Sequence, residues 1–284
     1  MSEQTASSTN RPSYFEVRVL RQDGPGQPSY WERYRVQREA DMNVISVLQR
    51  IAASSTTVEG KKVAPVVWDC SCLEEVCGAC TMLINGRVRQ ACTALVDQLL
   101  IDQPKEIELR PMTKFPVIRD LQVDRARIFQ ALKRVKAWIP VDGYYDIGSG
   151  PRQSQTDQEE CYPLSLCMSC GCCLEACPQF TKVELLKTEG ETDAEFEQRK
   201  EAAYEHAYIG PHAINQAVLF NTHPTGKLNA HERWDAIMDE GGLQVCGNAQ
   251  NCVRVCPKEI PLTASIARAG RATTFRMLRK IFDR

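Results

Sequence analysis

Phe15, Val17 and Val19 alternate with Glu16, Arg18 and Leu20; beyond a Gly24-Pro25-Gly26 turn, Tyr34 and Val36 alternate with Arg33, Arg35 and Gln37. A period of two predicts a pair of half-buried strands. The period then lengthens, with Val44, Ile45, Leu48, Ile51 and Ala52 at helical spacing and Asp41 placed to cap that helix. Thr81–Ile84 and Arg87–Gln90 flank Asn85-Gly86, the strongest short hairpin signal because both turn positions need positive φ. Ile107 and Leu109 make a closing strand before Pro111. From Asp120 the period becomes helical, through Ile128, Phe129, Leu132, Val135 and Ala137. Gly148–Pro151 and the polar run to Glu160 read as a flexible connection. Val183–Ala207 reads as a charged, solvated helix, and His212–Asp239 and the basic stretch from Thr263 to Arg284 as more helix. The expectation is an α+β chain: a small sheet-and-helix domain, then a mostly helical one.

Length and composition sharpen this pattern. The 284 residues suffice for about two domains, each with its own core. The expected boundaries are a disordered tail at 1–13, a first domain at 14–115 and a second at 116–284. A net charge of -1 gives no reason to expect a nucleic-acid partner. The first residues are rich in Ser and Thr with no apolar run, so they do not read as a secretory signal. Nowhere do 18 apolar residues run together, so any membrane link is expected through a partner. The chain has 14 cysteines, and all but Cys70, Cys161 and Cys172 fall into three metal-ligand patterns. That argues for reduced thiolates in a reducing compartment rather than disulfides.

The first pattern, Cys72-x4-Cys77-x2-Cys80 with Cys92, has the plant-type [2Fe–2S] spacing, and the hairpin between Cys80 and Cys92 would bring those two together. Gly78 suits a close backbone approach with amide N–H groups facing cluster sulfur. No histidine lies between residues 70 and 92, against a Rieske centre. The second, Cys167-x2-Cys170-x2-Cys173-x3-Cys177-Pro178, is the spacing of bacterial ferredoxins. The third, Cys246-x5-Cys252-x3-Cys256-Pro257, fits the same template except that Ala249 stands where the second cysteine would be. In two-cluster ferredoxins the Cys-Pro cysteine serves the other cluster. Cys167, Cys170, Cys173 and Cys256 then make a full set for [4Fe–4S]. Cys177, Cys246 and Cys252 make three ligands, which suits [3Fe–4S]; a [4Fe–4S] cluster with an exogenous fourth ligand is the alternative. Zinc is the competing occupant of paired cysteines, but it does not account for the successive x2, x2, x3-Pro steps. Cys70, Cys161 and Cys172 read as buried or incidental thiols. The four histidines, His206, His212, His223 and His231, read as surface or structural groups rather than ligands.

No GxGxxG fingerprint, CxxCH haem attachment or nucleophile–base pair accompanies these thiols, so the chain reads as an electron relay between partners. Its order of motifs, with Cys-Leu-Glu-Glu-Val-Cys-Gly-Ala-Cys at 72–80 and Cys-Val-Arg-Val-Cys-Pro-Lys-Glu-Ile-Pro at 252–261, resembles the iron–sulfur subunits of succinate dehydrogenase and fumarate reductase, over about residues 14–270. The local wording is similar to the menaquinone-linked, Gram-positive-type branch. The resemblance implies a plant-type ferredoxin (β-grasp) domain and a helical ferredoxin-like domain. It also implies a partner flavoprotein with FAD that oxidises succinate in the tricarboxylic acid cycle, and a membrane anchor, a cytochrome b with haem, where electrons reach quinone. The chain would sit peripherally on the cytoplasmic face of the bacterial cell membrane. The family places a quinone pocket beside the [3Fe–4S] cluster, here at Pro178, Gln179, Gly247 and Ala249. Ubiquinone-reducing members have tryptophan and histidine where this chain has Lys182 and Gly247, which points to a different quinone or a haem as next acceptor. Quinol:fumarate reductase and a free-standing multi-cluster carrier are the competing readings. The basic C-terminal stretch reads equally as a lipid-facing segment or a solvated helix end.

Overall fold

The structure, a computed structural model, describes residues 13–102, 106–139 and 152–282. The expected tail up to residue 12, the Gly148–Pro151 turn and Arg284 lie outside them. Strands β1 (Tyr14–Arg21) and β2 (Tyr30–Gln37) pair antiparallel, with Val17 opposite Tyr34. β3 (Thr81–Ile84) and β4 (Arg87–Gln90) form the hairpin around Asn85-Gly86, both at positive φ. β5 (Glu106–Arg110) runs parallel to β1 and antiparallel to β3, so it closes a sheet of order β2-β1-β5-β3-β4. The inward positions Phe15, Val17, Val19, Ile84, Ile107 and Leu109 are buried against α1 (Val44–Ser54), which contributes Val44, Ile45, Val47, Leu48 and Ile51.

The cap of α1 is Asn43, whose Oδ1 accepts from Ser46 N at 2.9 Å. Asp41 instead takes a left-handed turn conformation (φ 59), so the predicted cap is two residues early. The same Asn43 donates from Nδ2 to the carbonyl of Cys92 at 2.9 Å, tying the helix start to a candidate ligand. A short helix, α2 (Val96–Asp102), lies before β5.

The helical period does not begin at Asp120. Strands β6 (Val117–Arg119) and β7 (Gln122–Val123) make a small hairpin with Asp120 in its turn at φ 48. Asp120 is fully buried and accepts from Arg21 Nε and Nη2 (2.9 and 3.0 Å) and from Val67 N (2.9 Å). A buried charge is retained only when paired in this way, and here the pairing overrides local propensity.

The second core is helical: α3 (Ala126–Arg134), α4 (Gln155–Ser165), α5 (Cys172–Glu175), α6 (Asp193–Glu205), α7 (Gly210–Thr222), α8 (Ala230–Met238), α9 (Asn251–Arg254) and α10 (Leu262–Phe282). The polar run before Glu160 is helix rather than linker from Gln155 onward, because Ser154 caps it through Asp157 N at 3.1 Å. The charged segment from Val183 becomes helical only at Asp193, where Thr192 and Glu195 form a capping box. The central helix α7 is surrounded by α3, α4, α5, α8 and α10. Met112, Phe115, Val117 and Val123 belong to this core, whereas Leu121 belongs to the sheet's.

Candidate metal centres

The loop between α1 and β3 folds around sulfur. Leu73 and Glu75 adopt positive φ, which turns successive amides inward. Cys72 Sγ accepts from the N–H groups of Glu74, Val76 and Cys77 at 3.4, 3.3 and 3.3 Å. Cys77 Sγ accepts from Cys72 N at 3.5 Å and Ala79 N at 3.4 Å. Led by the Glu74 amide, these donors bring the Cys72 thiol down to about 6. An amide cradle for anionic sulfur is what a [2Fe–2S] centre held by thiolates requires, so the donor set fits the group. Cys80 and Cys92 lie side by side in the core, where desolvation pushes the Cys80 thiol up to about 11. Such thiols release protons when iron binds. The outer side is open, with Leu73 and Val76 at 50% and 58% exposure.

Gly78 (φ +70) makes a close backbone approach to Cys170, while the next amide, Ala79 N, faces Cys77 Sγ. A Cβ there would lie 2.7 Å from both Cα and Cβ of Cys170, so the first thiol loop is seated directly on the second. Arg125, just before α3, holds this seat by donating to the carbonyls of Gly78 (2.5 Å), Ala79 (2.6 Å) and Thr81 (3.4 Å). Gln90 adds a second link, donating to Thr81 Oγ1 at 3.1 Å and to Cys172 Sγ at 3.3 Å. Cys172 is therefore a buried thiol at the seam between the two loops.

The other thiols line two hollows. Cys167, Cys170, Cys173 and Cys256 share one, with Cys172 and His212 in its wall. Cys177, Cys246 and Cys252 share the second, together with Pro178, Gln179, Tyr208, Gly247 and Ala249. Among the described residues, no three His, Cys, Asp or Glu side chains sit close enough to hold a single metal ion. Burial raises the Cys167, Cys173 and Cys252 thiols, so holding them as thiolates needs a cationic partner such as cluster iron. The motifs are clamped together by Asn251 Nδ2 donating to Ala176 O at 3.1 Å. Glu175 accepts from Thr113 N and Lys114 N at 3.0 and 3.1 Å, and Lys114 Nζ donates to Cys177 O.

Of the remaining thiols, Cys161 is buried and Cys70 is exposed. His212 is buried beside the four-thiol hollow, with Nε2 against Ile128 O at 3.1 Å; desolvation lowers it to about 4, so it stays neutral. Lys182 pairs with Glu184 at 2.7 Å and is not part of the three-thiol wall. Gly247 is close-packed: a Cβ would meet Gln179 Nε2 at 2.8 Å, so a larger residue there would displace Gln179. Arg125, Gln90, Asn251 and Tyr208 carry no sequence signal, because each acts on a partner far away in the chain.

A family described as "2Fe-2S iron-sulfur cluster binding domain" matches residues 16–130, and one described as "4Fe-4S dicluster domain" matches residues 163–260. The succinate dehydrogenase iron-sulfur subunit of Bacillus subtilis (strain 168) is 48% identical over 264 residues, covering 93% of this chain and 94% of the relative. The fumarate reductase iron-sulfur subunit of Wolinella succinogenes is 27% identical, covering 88% and 93%. In the solved "Mycobacterium smegmatis Sdh1 complex in the apo form", one chain shares the fold with TM-score 0.69 at 20% identity, over 93% of this chain and 96% of that one.

Proposed function

Because the chain belongs to the family of iron–sulfur subunits of succinate dehydrogenase and fumarate reductase, we propose that it is the electron relay of a succinate:quinone oxidoreductase. Its partners are then an FAD flavoprotein that oxidises succinate and a membrane anchor, a cytochrome b, where quinone is reduced. When bound, the clusters supply one-electron carriers, which no side chain here provides. Cys72, Cys77, Cys80 and Cys92 hold [2Fe–2S]; Cys167, Cys170, Cys173 and Cys256 hold [4Fe–4S]; Cys177, Cys246 and Cys252 hold [3Fe–4S]. The observation that carries this reading is the division of these last seven ligand thiols between two hollows, one lined by Cys167, Cys170, Cys173 and Cys256 with Cys172 beside them, the other by Cys177, Cys246 and Cys252 with Ala249.

The chain's own residues give the relay its order. The exposed Leu73–Val76 edge offers the first site to the flavoprotein, and Gly78 presses that loop onto Cys170. Asn251 then joins the second motif to the third. At the far end, Pro178, Gln179, Gly247 and Ala249 wall the three-thiol hollow and are the residues for a quinone or menaquinone approach. Among the described residues no helix is long and apolar enough to cross a membrane; in this reading the chain attaches peripherally through the anchor, on the cytoplasmic face. The end of α10 exposes Phe275, Ile281 and Phe282 beside Arg279 and Lys280, a surface suited to that side.

Purification from membranes tests this reading. Co-purification with a flavoprotein and a haem protein, and a low-temperature EPR signal of an oxidised [3Fe–4S] centre that is lost in Cys246→Ser, are expected. A stable iron-free or partner-free monomer would contradict it. The fumarate reductase relative favours a second reading in which the same relay runs from quinol to fumarate.

A further inference from the structure

Tyr208 precedes α7 and is 6% exposed, and its side chain lines the hollow framed by Cys177, Cys246 and Cys252. Its hydroxyl is enclosed and has no hydrogen-bond partner among the described residues. Native chains seldom leave a buried hydroxyl unpaired, because it has given up its water without replacement. The sulfurs of Cys177, Cys246 and Cys252 line the same hollow, and Cys246 is the side chain that interacts with the hydroxyl most strongly. A phenol in its ordinary neutral form is an O–H donor, which suits it to give a hydrogen bond to sulfur.

We infer that Tyr208 donates its O–H to the sulfur shell of the three-iron centre, at Cys246, and thereby raises that centre's reduction potential. The inference rests on the assignment of Cys177, Cys246 and Cys252 to a [3Fe–4S] cluster. A hydrogen bond to sulfur stabilises the reduced cluster, which carries one more negative charge, over the oxidised one. The last centre of a relay thereby becomes a better acceptor. Tyr208 is a positioning and tuning residue in this role, with no bond made or broken at its oxygen.

Tyr208→Phe, in the complex purified from membranes, removes only the hydroxyl oxygen and leaves the ring in place. Anaerobic potentiometric titration followed by EPR is expected to show the [3Fe–4S] signal at wild-type amplitude with a lower midpoint, and the [2Fe–2S] and [4Fe–4S] midpoints unmoved. An unmoved [3Fe–4S] midpoint would overturn the role of Tyr208 while leaving the cluster assignment intact. A wild-type complex without a three-iron signal would overturn the assignment and the inference together. Should the variant fail to assemble, wild-type complex exchanged into D2O is the second measurement. An exchangeable deuteron coupled to the oxidised three-iron centre is expected, and its absence would overturn the inference.

Discussion

Gly78 is the residue on which the contact between the first two sites depends. Alanine there would take a φ of +70 and place its Cβ 2.7 Å from Cys170 Cα. Backbone strain alone costs about 1–3 kcal/mol, and the overlap adds to it. Gly78→Ala is therefore expected to lower the thermal midpoint of the complex and weaken both the [2Fe–2S] and [4Fe–4S] EPR signals; a wild-type midpoint would contradict the contact. The sequence made the need for glycine legible, but its contact with Cys170, 92 positions downstream, could not be read from spacing. The same holds for Arg125, whose three backbone acceptors are brought to it by the fold. Asn43 was legible in kind, since an Asx or Ser cap before an apolar run is a local signal, yet Asp41 competed for it and lost to the turn it occupies.

At the scale of elements, the strands and the Asn85-Gly86 hairpin follow directly from period and turn chemistry, and their observed bounds for β3 and β4 coincide with the expected ones. The β6–β7 hairpin was hidden because its organising force is the Arg21–Asp120 pair, a contact across 99 positions. Removing one partner of a buried pair costs about 3–5 kcal/mol. Asp120→Ala should show that loss in denaturant unfolding, with the strap at Ala64–Val67 becoming protease-sensitive, since Arg21 and Asp120 both hold its backbone. The last helix is tied down by Asp235 on α8, which accepts from Arg276 Nε and Nη2 at 3.0 and 2.9 Å and pairs with Lys280 at 2.8 Å. Chiefly through the Arg276 bond, its carboxyl is held at about 2, below its ordinary value. Its folded pKa is depressed, so the docking it contributes is present above the ordinary carboxylate range and is lost only as pH falls toward 2. Circular dichroism should show α10 held in place from pH 7 to pH 5 and lost only at lower pH, whereas Asp235→Asn, lacking the charge at every pH, should lose α10 at a lower temperature already at pH 7.

At the scale of the whole molecule, two cores are joined by a segment whose residues divide between them, Leu121 to the sheet and Met112, Phe115 and Val117 to the helices. This shared seam fixes the spacing of the thiol loops, and none of it is a periodic pattern. The cysteine spacings, by contrast, were legible because ligand geometry is local. The most direct measurement of the central claim is low-temperature EPR with Mössbauer spectroscopy on the isolated complex, wild type and Ala249→Cys. One [2Fe–2S], one [4Fe–4S] and one [3Fe–4S] centre are expected in the wild type, with conversion of the three-iron centre toward [4Fe–4S] and a lower potential in the variant. A wild type with two [4Fe–4S] centres, or a variant whose [3Fe–4S] signal is unchanged, would contradict that claim.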